Sequence, residues 1–102
     1  MQIEEFFGQV CIGLGWEPSS WRTRVFLEWA RMEGMPYEQT WNPLATTRLS
    51  PNTPLNLQFD IGYGGGNWNS VPVRVYRDAM AGIRATIETL ALDYYINVRR
   101  CL

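Results

Sequence analysis

Histidine and lysine are both absent from this chain of 102 residues, and all nine of its basic residues are arginine. Without histidine there is no Ser-His or Cys-His nucleophile pair, no imidazole ligand for zinc and no histidine pH switch. Without lysine there is no Schiff base and no Walker-type phosphate loop. An enzyme built from this sequence must therefore use carboxylates, tyrosine, cysteine, hydroxyls, amides or arginine, and carboxylate acid-base chemistry leads that set.

Strong net charge and long apolar runs are also missing. The net charge of −1 gives no basic field for a phosphate backbone, so we do not expect nucleic acid as a partner. No apolar run approaches the roughly 18 residues of a membrane span, and the acidic first residues lack the basic region of a signal peptide. We therefore expect a soluble protein without a signal peptide, whose compartment the sequence leaves open.

Cofactor and metal motifs are missing as well. The glycine-rich stretch from Gly62 to Gly66 is not followed by the Lys-Ser/Thr pair of a phosphate loop. Two cysteines, Cys11 and Cys101, cannot supply a four-ligand zinc site on their own. We expect neither a cofactor nor a metal. The cysteines form a disulfide worth about 4 kcal/mol if the terminal helices touch, or else they are two reduced, largely buried thiols.

The composition is that of a packed globular domain, with 46% hydrophobic and 14% aromatic residues. The length fits one domain over residues 1–102. Apolar residues at three- and four-residue spacings predict a first helix from Gln2 to Leu14. A second helix is expected from about Trp21 to Glu33, broad enough in its apolar positions to be buried on more than one side.

Local signals mark where the helices begin and end. Ser19 or Ser20 suits the start of the second helix, and Gly34 with Pro36 suits its end. The last helix is predicted over 76–94 from apolar steps of four and three residues, with Asp78 near its positive end. The sequence therefore predicts three principal helices in a mainly α fold.

The middle of the chain has a different pattern. Residues 35–54 show no sustained period and predict a long, functional loop. Residues 55–63 alternate between apolar and polar positions and predict a half-buried strand, and residues 71–76 predict a returning edge strand. We expect a small β-hairpin or an extended excursion, which makes the fold class α+β with helices dominant.

Glu33 is the leading catalytic candidate. At the end of its helix it meets the negative end of the dipole, which would raise the pKa of its carboxyl. A carboxylic acid that stays protonated near neutral pH can protonate the leaving oxygen of a glycoside. The alternative is an ordinary solvated glutamate at a helix end.

Three segments carry a resemblance: WARMEG, then WNPLATT, then NSVPVRVYRDAMAGIRATIETL. Together they resemble lysozyme-like peptidoglycan hydrolases, particularly bacterial and phage lytic transglycosylase and glucosaminidase-type domains. The resemblance implies a lysozyme-like fold and a catalytic role for Glu33. It also implies that an Asn-rich loop and an Arg-x-Tyr segment leading into a helix correspond to Asn42-Pro43-Leu44 with Thr46 and Thr47, and to Arg74, Tyr76, Gly82 and Ile83.

A second carboxylate and a sugar-binding surface complete this hypothesis. Asp60 lies on the polar side of the predicted strand and could face Glu33 across a cleft; otherwise it is an exposed strand residue. Without a second carboxylate, the resemblance implies a scheme in which one glutamate donates and later accepts the proton while a substrate hydroxyl attacks. Flat rings and amides suited to stacking on and bonding to sugars occur at Trp41, Asn42, Tyr63, Trp68, Asn69 and Tyr76.

Two functions from different classes follow from these observations. The first is binding and cleavage of peptidoglycan glycan strands with Glu33 as general acid. The alternative is a non-catalytic structural or interaction module, for example a phage particle component with protein partners, that keeps a lysozyme-like fold. A glycan-binding module without turnover is a third interpretation.

Overall fold

The computed structural model describes residues 1–48, 58–60 and 74–102, and for 58–60 only the backbone. The described chain is mainly helical, as the sequence predicts. Its α-helices are α1 (Ile3–Gly13), α2 (Ser20–Glu33), α3 (Tyr37–Thr40), α4 (Ala79–Leu90) and α5 (Ile96–Cys101), with a 3-10 turn at Asp93–Tyr95. The strands β1 (Gln58–Asp60) and β2 (Arg74–Tyr76) pair antiparallel. That these elements are arranged as in lysozyme remains a prediction.

Helix α1 supplies the centre of the core. Its buried side chains lie on the face that the sequence predicts, since Phe6, Phe7 and Val10 are fully buried. This face packs against α2 and α4. The rings of Phe7 and Phe26 stack with their centroids 4.9 Å apart. Each such side chain contributes about 1.5–3 kcal/mol through burial, so α1 is the main hydrophobic support of the two helices that position the site.

Helix α2 begins and ends where the sequence signals place it. The Ser19 hydroxyl accepts a hydrogen bond from the backbone N–H of Arg22 at 3.2 Å, which caps the first turn. Gly34 follows the helix in a left-handed conformation with φ 72°. Glycine adopts this conformation without steric cost, so the helix stops directly after Glu33.

The buried face of α2 is narrower than the sequence predicts. Only Phe26 and Ala30 are buried on this helix. Trp21, Val25 and Met32 are 48%, 39% and 76% exposed. The prediction of burial on more than one side is therefore wrong, because α2 lies at the surface with one narrow face against the core.

Helix α4 starts later and ends earlier than predicted. Asp78 is its cap and accepts a hydrogen bond from the N–H of Ala81 at 2.9 Å. Tyr76 belongs to β2, so it cannot be in the helix. The chain leaves the helix at Leu90, and Met80 and Tyr94, both predicted on the apolar face, are 60% and 87% exposed. The residues of α4 that pack against the core include small ones instead, since Ala81, Gly82 and Ala85 are buried.

The segment predicted as a long loop over 35–54 contains a short helix, α3, within its described part, and residues 49–54 lie outside the described residues. Pro36 precedes α3 with φ −73°, a value already suited to a helix start. The Thr40 hydroxyl donates to the Pro36 carbonyl at 3.0 Å and closes the turn. The strand predicted over 55–63 is described only at Gln58–Asp60, and the one predicted over 71–76 only at Arg74–Tyr76.

Cys11 and Cys101 are both free thiols, so the disulfide interpretation is wrong. Cys11 is buried, and desolvation raises the pKa of its thiol. Cys101 is exposed, so only one of the two thiols fits the alternative of a buried pair. Among the described helices, none is long and apolar enough to cross a membrane.

Candidate functional site

The loop after α3 has an unusual backbone. Trp41 and Ala45 adopt positive φ angles of 51° and 57°, although neither is glycine. A non-glycine residue in the left-handed region costs of the order of 1–3 kcal/mol and persists only where its surroundings hold it. The turn between them is closed by the N–H of Ala45, which donates to the Asn42 carbonyl at 3.1 Å.

Asn42 holds this loop in place. Its side chain is fully buried, and its Nδ2 donates to the backbone carbonyls of Thr46 at 2.9 Å and Arg74 at 2.7 Å. Its Oδ1 accepts from the N–H of Thr46 at 2.9 Å. Both Nδ2 hydrogens and one lone pair of the carboxamide are therefore satisfied by backbone groups. This side chain is one of several links between the loop and β2, together with the Arg74 N–H, which donates to the Thr46 carbonyl at 3.2 Å, and the Arg74 Nε, which donates to the Thr47 carbonyl at 3.1 Å.

A chain of hydroxyls joins the loop to α4. Thr89 donates its hydroxyl hydrogen to the Ala85 carbonyl at 2.8 Å, so in the 2.5 Å contact between Thr46 and Thr89 the Thr46 hydroxyl must be the donor. The Thr46 oxygen also accepts from the N–H of Arg48 at 3.2 Å. The loop residues 46–48 are therefore positioned against α4 by side-chain hydrogen bonds rather than by a sheet.

A cleft of about 480 Å³ lies beside this loop. That volume is within the usual range for small-molecule and sugar-sized ligands. Among the described residues, its lining combines two aromatic rings, apolar side chains, hydroxyls and one cation: Trp29, Leu44, Ala45, Thr46, Thr47, Arg48, Thr86, Thr89, Leu90, Leu92 and Tyr95. Flat rings with neighbouring hydroxyls suit a polyhydroxylated ligand that offers both apolar faces and hydrogen-bonding groups.

Glu33 lies at the rim of this cleft rather than in its lining. Its side chain is exposed, and its Oε2 accepts a hydrogen bond from Trp29 Nε1 at 3.1 Å. Trp29 lines the cleft, and its ring lies 6.4 Å from that of Tyr95, centroid to centroid. Burial, and then the charges of the nearby Tyr94 and Glu33, raise the pKa of Tyr95. The carboxylate is therefore bonded to one of the two described aromatic side chains of the cleft and influences the pKa of the other.

Three other predicted site residues are placed elsewhere. Asn42 is used by the loop, as described above. Tyr76 is 2% exposed, its hydroxyl donates to the Arg48 carbonyl, and burial raises its pKa well above the ordinary range of a phenol. Trp41 is half-buried and packs edge to face on Tyr37, with ring centroids 5.3 Å apart. None of the three lines the cleft, and their role as sugar contacts stays a prediction.

The remaining predicted residues are not all described. Asp60 is in β1 and pairs with Arg74 in the strand register. Its side chain lies outside the description, as do Tyr63, Trp68 and Asn69 altogether. Their roles as second carboxylate and sugar contacts stay predictions.

Sequence reasoning missed several residues of the cleft. Trp29 precedes Glu33 by four positions, a spacing that places two side chains on one helix face, and this signal could have identified it. Thr86 and Thr89 are three apart on α4 and share a face for the same reason. Tyr95 carried no signal, because its position depends on the 3-10 turn that follows α4.

Comparisons with known proteins give no information about this site. No family model, no curated protein and no solved structure matches this chain. Within residues 1–48 and 74–102, no cluster of three or more His, Cys, Asp or Glu side chains is placed to hold a metal ion. The resemblance to lysozyme-like hydrolases and the function that it implies remain hypotheses.

Proposed function

We propose that this protein binds and cleaves glycan strands of the peptidoglycan type, with Glu33 as the general acid. The observation that carries the proposal is the hydrogen bond from Trp29 Nε1 to Glu33 Oε2, which holds the helix-end carboxyl at the rim of an aromatic and hydroxyl-lined cleft. A glycan strand is an extended ligand, so sugars seated in the cleft bring a neighbouring glycosidic oxygen towards the rim.

The first step of the proposed reaction is the transfer of one proton from Glu33, and the second step follows one of two schemes. Protonated Glu33 gives its proton to the glycosidic oxygen as the bond from that oxygen to the anomeric carbon breaks. In the single-carboxylate scheme, a hydroxyl of the substrate attacks the anomeric carbon and returns its proton to the Glu33 carboxylate. In the two-carboxylate scheme, Asp60 would act instead as base for water or as nucleophile.

Glu33→Gln is the direct test. The variant keeps the Trp29 hydrogen bond acceptor but cannot donate an acidic proton, so we expect turnover of cell-wall glycan to fall by at least about 100-fold. Turnover is measured as release of reducing ends or of anhydro-sugar ends from purified peptidoglycan, and the two products distinguish the two schemes.

Glu28→Gln is the matched control, because Glu28 is an exposed glutamate on the same helix. Its partner is Arg31, and exposed pairs of this kind contribute little stability. We expect wild-type turnover and an unchanged melting temperature. Equal turnover in Glu33→Gln and the wild type would refute Glu33 as the acid.

A second candidate is a non-catalytic structural or interaction module. It is supported by the exposure of Glu33 and by a stripe of exposed apolar residues on α2, namely Trp21, Val25 and Met32. Under this alternative, purified wild-type protein would bind a protein partner and release no sugar ends from peptidoglycan. The phage particle suggested by the resemblance is one setting for such a partner.

A further inference from the structure

We infer that Arg48 binds a carboxylate carried by the glycan in the cleft, an inference that rests on the function proposed above. Arg48 lines the cleft and its side chain is 36% exposed. Among the lining residues that the structure describes, it is the only cationic side chain. Because Arg48 is cationic and the other described lining residues are neutral, the lining favours an acidic ligand over a neutral one.

Most N–H donors of the Arg48 guanidinium have no hydrogen-bond acceptor within the described chain. Arg48 Nε donates to Glu88 Oε1 at 3.1 Å. An arginine side chain has five N–H donors, and among residues 1–48 and 74–102 no acceptor takes those on its two terminal nitrogens. A pair of terminal N–H groups matches the two oxygens of a carboxylate.

The position of Arg48 is fixed from both sides of its backbone. Its N–H donates to the Thr46 hydroxyl at 3.2 Å, and its carbonyl accepts from the buried Tyr76 hydroxyl. The contact with Glu88 then restrains the side chain. A cation that is already positioned loses less conformational entropy on binding, so more of its attraction to a carboxylate appears as affinity.

A purely structural ion pair explains these features less well. Both partners are partly exposed, with side-chain exposures of 36% for Arg48 and 21% for Glu88. Ion pairs that reach solvent contribute only about 0–1 kcal/mol to stability. The loop is already held by Asn42 and by the threonine hydroxyls, so it does not need this pair to keep its shape.

Peptidoglycan supplies the required charge in a way that neutral glycans do not. Its muramic acid units carry a lactyl carboxylate, either free or joined as an amide to a peptide that ends in carboxylates of its own. Chitin oligomers have the same backbone of linked N-acetylated sugars without any acid group. The inference therefore predicts that the cleft distinguishes these two glycans by charge.

The experiment is a calorimetric titration of three tetrasaccharides into Glu33→Gln protein, which prevents turnover. The ligands are chitotetraose, the alternating muramic acid tetrasaccharide with free lactyl groups, and the same sugar with its peptides. We expect at least one acidic ligand to bind about tenfold more tightly than chitotetraose. The acidic ligand that shows the advantage identifies which carboxylate is bound.

Adding Arg48→Gln should remove that advantage and leave the affinity for chitotetraose unchanged. Arg84→Gln is the matched control, because Arg84 is an exposed arginine on α4 outside the cleft, and it should preserve the advantage. Thermal unfolding checks that each variant is folded. If Arg48→Gln does not fold, the comparison of the three ligands in Glu33→Gln protein still decides.

Equal affinity for all three ligands, or an equal loss for all three in Arg48→Gln, would overturn the role of Arg48 and leave glycan binding intact. Absence of binding by all three ligands would overturn both this inference and the proposed function. The two failures are therefore distinguishable.

Discussion

At the residue scale, Trp29 is the side chain that connects Glu33 to the cleft. Its Nε1 hydrogen is the described contact that restrains the Glu33 carboxyl, while its ring forms part of the cleft wall. Trp29→Phe keeps an aromatic ring but removes the donor. We expect glycan turnover to fall about three- to tenfold, because the carboxyl loses its orientation, with glycan affinity changed much less.

Trp21→Phe is the matched control for this prediction. Trp21 is an exposed tryptophan on the same helix and donates no hydrogen bond to a carboxylate in the described chain. Turnover and affinity, measured side by side on purified peptidoglycan, should match the wild type. Unchanged turnover in Trp29→Phe would mean that Glu33 needs no orienting partner.

Single residues also show what the sequence could and could not predict about the site. Glu33 was proposed because Gly34 ends a helix with an apolar period, which is a local signal, and because the surrounding motifs resemble those of lysozyme-like hydrolases. Asn42 was assigned to sugar binding on its residue type and loop position. Its carboxamide bonds instead to Thr46 and to Arg74, which is 32 residues away, and no local pattern specifies such a partner.

At the element scale, the close approach of α4 to the loop depends on Gly82. A Cβ built on Gly82 would lie 2.0 Å from the Trp41 carbonyl oxygen, which belongs to the backbone and cannot move aside as a flexible side chain can. We expect Gly82→Ala to lower the free energy of unfolding by about 1–3 kcal/mol, measured by urea denaturation.

Gly8→Ala gives the opposite result and serves as the control. Gly8 lies within α1, and a Cβ there would meet no atom within 4 Å. Alanine is the better helix former, so this substitution should raise the free energy of unfolding by about 0.5–1 kcal/mol. Equal effects of the two substitutions would show that helix propensity, and not the approach of α4 to Trp41, determines the cost at Gly82.

Elements with local start and stop signals were predictable, and elements made by tertiary contacts were not. The bounds of α2 follow from Ser19 and Gly34, and those of α1 from its apolar period. Helix α4 begins only at Ala79, because Tyr76 is recruited by β2 and Asp78 caps the next turn. Arg99 Nη1 donates to the carbonyls of Leu90 and Leu92 at 2.6 Å and 2.7 Å. These contacts stabilise the 3-10 turn that interrupts the predicted helix.

At the scale of the whole molecule, one thiol and three phenols that are buried or half-buried determine how stability depends on pH above neutrality. Burial raises the pKa of Cys11, Tyr37, Tyr76 and Tyr95 above their ordinary values. Above about pH 9 the unfolded chain ionises these groups while the folded protein resists, so the unfolded state binds fewer protons. The free energy of unfolding should then fall steadily as pH rises.

Thermal unfolding monitored between pH 6 and pH 11 checks this expectation. The chain contains no histidine, the side chain that ordinarily titrates near neutrality, so histidine titration should not change the melting temperature from about pH 6 to pH 8. The melting temperature should decline above about pH 9. Tyr76→Phe removes one of the ionising groups and should make the decline shallower. A melting temperature that increases as the pH rises above 9 would contradict the raised pKa values of these four side chains.

The Asn42 contacts determine how much of the chain is needed for the cleft to exist. Residues 44–48 contribute one wall of the cleft, and the Asn42 carboxamide that holds them is fully satisfied only when the Arg74 carbonyl is present. A fragment ending at residue 48 would contain this wall in full and lack the contacts that keep Trp41 and Ala45 in their left-handed conformations. We therefore expect that grafting the loop alone into another protein would not reproduce the wall of the cleft, because the graft would lack the Arg74 carbonyl.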